Sequence, residues 1–124
     1  MRLLLDTHIL VWMVTADERL SVAARQALLE PGAELFVSAV IAWEYADLHT
    51  RGRLPLAAAF HVLTAVLALQ VVDVPAAIWR LAASLPDVHR DPVDRILIAH
   101  ALHDGMTLVT ADEKIRRYAV PAVW

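Results

Sequence analysis

Four acidic residues lie beside apolar runs that are typical of a protein core. Asp6 directly follows the three leucines Leu3–Leu5, and Asp112 follows a second apolar run by three residues. Glu44 and Asp94 lie in helical patterns whose positions three and four residues away are largely apolar, so we expect both side chains to point inward. A buried carboxylate is costly unless a cation or a hydrogen-bond donor meets it, so these acids indicate a partner.

A divalent metal ion is a partner that would suit all four acids at once. Mg²⁺ and Mn²⁺ prefer oxygen ligands, and an ion held by a few carboxylates keeps open positions for water and phosphate. Without an ion, the clustered carboxylates would repel one another and raise one another's pKa values. The four acids therefore predict metal-dependent hydrolysis of phosphodiester bonds.

Some of the acids also have structural interpretations. Asp6 would serve as the N-cap of the helix that follows it, because aspartate is a strong N-cap residue. Asp91 fits this role better, since Pro92 follows it at the first helical position. On the sequence alone, a structural and a chemical role for Asp6 both stay open.

Other polar and aromatic residues fit ordinary structural roles. Thr110 and Glu113 have the spacing of a capping box, which would leave Asp112 free for another task. Asp47 and Arg51 have the spacing of a surface ion pair on one helix. The six histidines show no metal-ligand spacing, and helical stripes typical of a core contain three tryptophans: Trp12, Trp43 and Trp79.

The elements that must position these residues alternate between short apolar strands and helices. This alternation predicts an α/β fold, with a parallel sheet covered on both faces and ligand sites beyond the carboxyl ends of the strands. The predicted strands are Leu3–Leu5, Glu34–Val37, Val71–Val74 and Thr107–Val109. The predicted helices are His8–Val14, Val22–Glu30, Ala39–Thr50, a helix from Pro55 that ends before Gln70, Ala76–Ser84, Pro92–Gly105 and Glu113–Tyr118.

Length and composition limit the class of protein. A chain of 124 residues with 59% hydrophobic residues suits one domain, residues 1–124, with a large core. Its net charge of −3 gives no overall basic field for nucleic acid, and the lack of cysteine excludes disulfides and thiolate zinc sites. We expect no membrane span in the apolar segment Leu54–Val72, which polar residues interrupt, and the cytoplasm is the expected location.

Four segments together resemble one known family. "LLLDTHIL", "SAVIAWE", "HRDPVDRILIAHA" and "LVTADEKI", in this order, are similar to the PIN-domain family, in particular to the ribonuclease toxins of the VapC type. The resemblance covers nearly the whole chain. It implies a PIN-like three-layer sandwich with a short central parallel sheet flanked by helices, and an acidic site that uses Mg²⁺ or Mn²⁺ to cleave RNA.

The resemblance also assigns roles to individual residues. Asp6, Glu44 and Asp94 would hold one metal ion, with Asp112 either as a direct ligand or through water at a second position. Thr110 would be a supporting ligand. Asp91 belongs to the Asp-Pro-x-Asp form of one branch, and whether it contacts metal stays open.

Partners follow from the resemblance and from local charge. RNA phosphates would be met by cations that flank the acidic motifs, namely Arg51, Arg53, Arg90, Arg95, Lys114, Arg116 and Arg117. A cognate antitoxin would place a basic side chain among the carboxylates. The apolar stretch Leu56–Leu69 predicts a homodimer, because it offers more hydrophobic surface than one helix on a small sheet can bury.

Two other classes of function stay open at this stage. A haloacid-dehalogenase-like phosphatase also begins with an aspartate after its first strand, but it needs a second aspartate two residues later, where this chain has His8. A binding module without catalysis would use the acidic pocket only to hold a metal or an arginine of a partner. RNA cleavage with and without Mg²⁺ separates this module from an enzyme.

Overall fold

A parallel sheet of five short strands forms the centre of the structure, a computed structural model that describes Met1–Trp124. The strand order is β3-β2-β1-β4-β5, and every neighbouring pair is parallel. The strands are β1 (Arg2–Leu5), β2 (Glu34–Ser38), β3 (Gln70–Val72), β4 (Thr107–Val109) and β5 (Ala122–Val123).

The central strand β1 is buried on both faces. Leu3, Leu4 and Leu5 have no exposed surface, and successive side chains of a strand point to opposite faces of its sheet. Both faces are therefore covered, which confirms the three-layer α/β arrangement predicted from the sequence. Because Leu5 is paired with Val109 of β4, the chain segments that leave these two strands begin side by side at the carboxyl edge.

Seven helices surround the sheet. They are α1 (Thr7–Val14), α2 (Val22–Leu29), α3 (Ala39–Thr50), α4 (Phe60–Val66), α5 (Ala76–Ser84), α6 (Pro92–Asp104) and α7 (Glu113–Arg116). Helices α5 and α6 share a small apolar cluster of Ile78, Ala82 and Ala99, separate from the main core. None of the helices has the length and apolar character needed to cross a membrane.

Helix α6 begins and ends where the sequence predicts. Asp91 is its N-cap, and Asp91 Oδ1 accepts hydrogen bonds from Val93 N at 2.9 Å and Asp94 N at 3.2 Å. The helix is closed by Gly105, whose φ of 65° lies in the left-handed region that glycine adopts without strain. This fixed start holds Asp94 in the first turn of the helix.

Helix α4 is shorter than predicted, because it begins at Phe60 and does not include Pro55. The hydroxyl of Tyr45 donates to Ala58 O at 2.6 Å, so this carbonyl is bonded to α3 before the helix starts. Ala59 has extended backbone, and Ala68, with φ of 51°, stops the helix at its other end. The segment before Phe60 is therefore a turn that α3 holds in place.

Further differences concern β5 and two tryptophans. The strand β5 was not predicted, because two residues are too few to show an alternating pattern. Trp43 and Trp79 are 64% and 53% exposed, so the prediction that they belong to the core is wrong. Only Trp12, at 9% exposure, lies in the core as expected. Helical spacing places a side chain on a stripe, but it does not show whether that stripe is covered.

Candidate active site

Asp6 and Thr110 meet where β1 and β4 end. The amide of Asp6 donates to Val109 O at 3.2 Å, and Thr110 Oγ1 donates to Asp6 Oδ2 at 2.7 Å. Asp6 Oδ1 accepts from Thr7 N at 2.7 Å, so Asp6 is also the N-cap of α1. The residue is only 5% exposed, and this burial raises the pKa of its carboxyl group.

Asp94 approaches the same edge from the first turn of α6. Its pKa is raised from the ordinary 3.8 to about 7, first by burial and then by the negative charges of Asp6 and Asp91. The helical neighbours of Asp94 at Leu97 and Ile98 are fully buried, which confirms that this face of α6 points inward. The charge of Asp6 therefore reaches Asp94 and disfavours the ionised form of Asp94.

Asp112 has a helix-capping role that the sequence did not predict. Its Oδ1 accepts from Lys114 N at 2.8 Å and Ile115 N at 3.3 Å, so Asp112 is the N-cap of α7. The predicted capping box of Thr110 and Glu113 is wrong, because α7 begins at Glu113 and Thr110 lies too early to cap it. Thr110 Oγ1 instead accepts from Asp112 N at 3.1 Å, which ties Asp112 to the site.

Glu44 lies next to the acidic group, across Thr7. Its Oε1 accepts a hydrogen bond of 2.6 Å from Thr7 Oγ1, and Thr7 follows Asp6 in the chain. Glu44 is half-buried and lines a cleft of about 410 Å³ together with Thr7, His8 and Arg53. The structure thus brings Asp6, Asp94 and Asp112 together and joins Glu44 to them through Thr7. Asp91, in contrast, is exposed and caps α6.

His89 is a member of this site that the sequence did not reveal. Its Nε2 lies 2.6 Å from Asp94 Oδ2 and 3.4 Å from Asp112 Oδ2. Ligand atoms of these three residues all fall within 4.8 Å of one another. His89 was not predicted to lie in the site, whereas the structure places its imidazole against two of the four acids. It precedes Asp94 by five residues and lies outside any helix, so no regular spacing links the two in the sequence.

The residues present fit a divalent cation. His89 Nε2 has no accessible surface and no hydrogen-bond partner in line with it, although Asp94 Oδ2 is near. Burial and crowding raise the pKa of both Asp6 and Asp94 although His8 and His89 act in the opposite direction, so a further positive charge would stabilise the ionised forms. Carboxylate oxygens with one imidazole nitrogen are a donor set that Mg²⁺ or Mn²⁺ could use.

The cations named from the sequence differ in their surroundings. Arg95 donates from its two terminal nitrogens to four backbone carbonyls and to the hydroxyl of Tyr118. Arg51 pairs with Asp47 at 3.0 Å, as predicted, and Arg117 pairs with Glu113 at 3.0 Å. Four cations of this set are exposed and form no ion pair: Arg53, Arg90, Lys114 and Arg116.

Crowding at Asp94 predicts a pH-dependent effect of its replacement. The pKa of Asp94 is higher in the folded chain than in the unfolded chain, so its contribution to stability is complete below pH 3.8 and is lost as the pH rises through about 7. In chelator at pH 8, we expect Asp94→Asn to raise the free energy of unfolding by about 1–2 kcal/mol, allowing for partial solvent screening. Near pH 4 the gain should vanish.

Urea denaturation of both proteins across this pH range measures the difference. Asp73→Asn is a matched control, because Asp73 is exposed and forms no ion pair, and it should change stability little at any pH. A gain for Asp94→Asn that is the same at pH 4 and pH 8 would contradict the crowding of charges at this site.

The chain is similar to proteins of one known family. The chain matches the PIN domain family over residues 3–121. It is 35% identical to Ribonuclease VapC22 of Mycobacterium tuberculosis, and the alignment covers 98% of this chain and 97% of that protein. Among solved structures, VapBC2 from Rickettsia felis, bound to a DNA fragment from its promoter, has a similar fold with a TM-score of 0.71 at 17% identity, covering 98% of this chain and 97% of that chain.

A toxin-antitoxin complex from Klebsiella pneumoniae is also similar in fold. Its TM-score is 0.69 at 19% identity, and the alignment covers 98% of this chain and 95% of that chain. The family match spans all four segments that contain the acids at the carboxyl edge of the sheet. The chain belongs to the PIN domain family.

Proposed function

We propose that this protein is a metal-dependent endoribonuclease that acts as the toxin of a toxin–antitoxin pair. The observation that carries the proposal is the group of carboxylates at one sheet edge, in which Asp6 is buried, Asp94 is largely buried and Asp112 is partly exposed, and in which neighbouring negative charges raise the pKa of Asp6 and Asp94. The similarity to a protein named as a ribonuclease supports RNA as the substrate. The family assignment argues against a haloacid-dehalogenase-like phosphatase. This chain also has His8 at the position where such a phosphatase needs its second aspartate.

We assign the metal ligands to the four acids. Asp6, Glu44 and Asp94 would hold Mg²⁺ or Mn²⁺, with Asp112 as a direct ligand or through water. A bound ion of this kind lowers the pKa of a coordinated water and neutralises charge that develops on a phosphate. With this chemistry no side chain has to act as nucleophile.

The residues around the acids fix their orientation. Thr110 and the amide of Thr7 each bond one oxygen of Asp6, so its carboxylate cannot rotate freely. The hydroxyl of Thr7 holds Glu44 in the same way. Asp112 uses Oδ1 to cap α7, which leaves Oδ2 on the side of the site. Such preorganisation reduces the reorganisation that binding of a metal and a phosphate requires.

RNA would be bound by exposed cations next to the acids. Arg53 lines the cleft that contains Glu44, and Arg90 and Lys114 each lie within four residues of Asp94 or Asp112. Arg51, although paired with Asp47, stays exposed and can exchange this partner for a phosphate. Phosphate contacts of this kind give affinity without sequence preference. We leave Arg95 out of this set, because its terminal nitrogens are bonded within the fold.

An antitoxin protein is the proposed partner. The Klebsiella pneumoniae structure of similar fold is a toxin-antitoxin complex. An arginine of the antitoxin could neutralise the clustered carboxylates with two parallel hydrogen bonds, which would block metal and RNA together. We propose that the pair acts in the cytoplasm.

A homodimer is the expected state of the chain alone. Leu56 is 86% exposed and Val66 is 73% exposed, so the segment Leu56–Leu69 presents apolar side chains to solvent although Leu63 is buried. We expect sedimentation velocity to show a dimer at tens of micromolar protein, and Val66→Glu to shift it towards monomer because a charge in a covered apolar contact is costly. Glu18→Lys is the control with a similar change of charge on an exposed site. A parent that sediments as a monomer would contradict this expectation.

The experiment that tests the function is cleavage of a mixed RNA pool. We expect cuts when Mg²⁺ or Mn²⁺ is present and none in chelator. Asp47→Asn is a matched control, since it changes an acid on the surface of α3 without touching the site, and it should cleave like the parent. A purified chain that binds metal and RNA without cutting the RNA would favour the non-catalytic binding module instead.

A further inference from the structure

The loop between α5 and α6, residues 85–91, is held by two side chains from other parts of the fold. Tyr118 Oη donates to Pro86 O at 2.7 Å and accepts from His89 N at 2.9 Å. Arg95 Nη1 donates to Pro86 O at 3.0 Å and to His89 O at 3.2 Å. Both backbone polar groups of His89 are therefore bonded, although the residue lies outside any helix or strand.

This attachment holds the imidazole of His89 against the carboxylates. Its side chain is only 13% exposed, and Nε2 has no accessible surface. Nε2 lies at ion-pair distance, 2.6 Å, from Asp94 Oδ2 and 3.4 Å from Asp112 Oδ2, but neither oxygen is in line for a hydrogen bond. Ligand atoms of His89, Asp94 and Asp112 all lie within 4.8 Å of one another, so a cation shared with the two carboxylates would give Nε2 a bonded partner.

We propose that His89 binds the metal ion directly through Nε2, beside Asp94 and Asp112, an inference that rests on the proposed metal-dependent function. Donors at neighbouring positions of an octahedral ion with bonds of about 2.1 Å lie about 3 Å apart. The separations of Nε2 from the two carboxylate oxygens, 2.6 and 3.4 Å, lie on either side of this value. One ion could therefore reach all three donors with small movements.

A nitrogen ligand changes which ion the site prefers. Mg²⁺ favours oxygen ligands and retains much of its water, whereas imidazole is a good ligand for transition ions. A site that includes His89 therefore prefers Mn²⁺ over Mg²⁺ more strongly than a site of the four acids alone would.

Tyr118 is the positioning residue for this ligand. It is largely buried, and its hydroxyl is the only acceptor for His89 N. Tyr118→Phe keeps the ring and removes the hydroxyl, so it should weaken Mn²⁺ binding in the same direction as loss of His89 but by less. Mg²⁺ binding should stay close to that of the parent, which a general loss of stability would not produce.

The test is Mn²⁺ titration of the full chain followed by electron paramagnetic resonance. Pulsed spectra of the parent should show coupling to a nitrogen nucleus, and His89→Ala should lose it. We expect His89→Ala to bind Mn²⁺ at least about tenfold more weakly, the smallest loss typical of even an outer-shell partner. Mg²⁺ affinity, from competition, should change by less than about threefold. His8→Ala is the matched control, because His8 is a second imidazole near the acids and lines the cleft that contains Glu44.

Three results would overturn the inference. Nitrogen coupling that persists in His89→Ala, or that disappears in His8→Ala, would show that the ligand is another residue. Tighter Mn²⁺ binding by His89→Ala would show that the imidazole competes with the ion. A parent chain that binds no Mn²⁺ would overturn the proposed metal-dependent function together with this inference, whereas the first two results would leave that function intact.

Discussion

Asp6→Asn should remove RNA cleavage while leaving the fold unchanged or more stable. Asparagine can still accept from Thr7 N, and its amide can donate to Thr110 Oγ1, so the cap of α1 is kept. The charge that a metal ion needs is lost, and we expect cleavage to fall by more than the roughly 10- to 100-fold that an outer-shell partner costs. In chelator, the loss of one crowded charge should keep the melting temperature equal to the parent's or raise it.

Cleavage of a mixed RNA pool and thermal melts in chelator and in millimolar Mg²⁺ measure the two effects together. Mg²⁺ should raise the melting temperature of the parent more than that of Asp6→Asn, because the folded parent binds the ion. Full cleavage by the variant would show that Asp6 is only a helix cap. A variant that melts well below the parent in chelator, with an unchanged response to Mg²⁺, would lead to the same conclusion.

Arg95→Lys should be the most destabilising of the conservative changes near the site. The guanidinium joins the end of α5 and the following loop to α6 through Ala82 O, Leu85 O, Pro86 O and His89 O. A lysine ammonium is a single point and cannot reach acceptors spread over the fork of an arginine. We expect a loss of about 2 kcal/mol in the free energy of unfolding, from two or more lost hydrogen bonds to a charged group.

Urea denaturation measures this loss, and Arg80→Lys is the matched control. Arg80 lies on α5, its side chain is exposed, and its guanidinium lies over the ring of Trp79. Lysine at this position should change the free energy of unfolding by about 0.5 kcal/mol or less. Equal stability of Arg95→Lys and the parent would contradict the structural role of Arg95. It would also return this residue to the set of proposed RNA contacts.

The parts of the fold that depend on local patterns could be predicted from the sequence. Three consecutive leucines before Asp6 specify a strand buried on both faces, and the Asp91-Pro92 pair specifies the start of α6. The carboxyl-edge position of Asp6 and Asp112 follows from strands of this kind, since parallel neighbours end at the same edge. These features need no knowledge of distant contacts.

The features that were missed depend on contacts between distant segments. The start of α4 is set by a hydrogen bond from Tyr45, which lies in another helix. His89 reaches the acids because its loop is held by Tyr118, 29 residues further along the chain, and by Arg95. Asp112 was expected to be free of capping duty, but α7 begins at Glu113, as predicted, so Asp112 is its cap and a site residue at once. Such arrangements have no periodic signal in the sequence.

Calorimetric titration of Mn²⁺ into chelator-treated protein tests most directly whether the carboxylates at the sheet edge form a metal site. We expect the parent to bind at least one ion per chain, Asp47→Asn to bind it equally well, and Asp6→Asn to bind it at least about tenfold more weakly. Equal binding by the parent and Asp6→Asn, or no binding by the parent, would show that these carboxylates do not form the metal site.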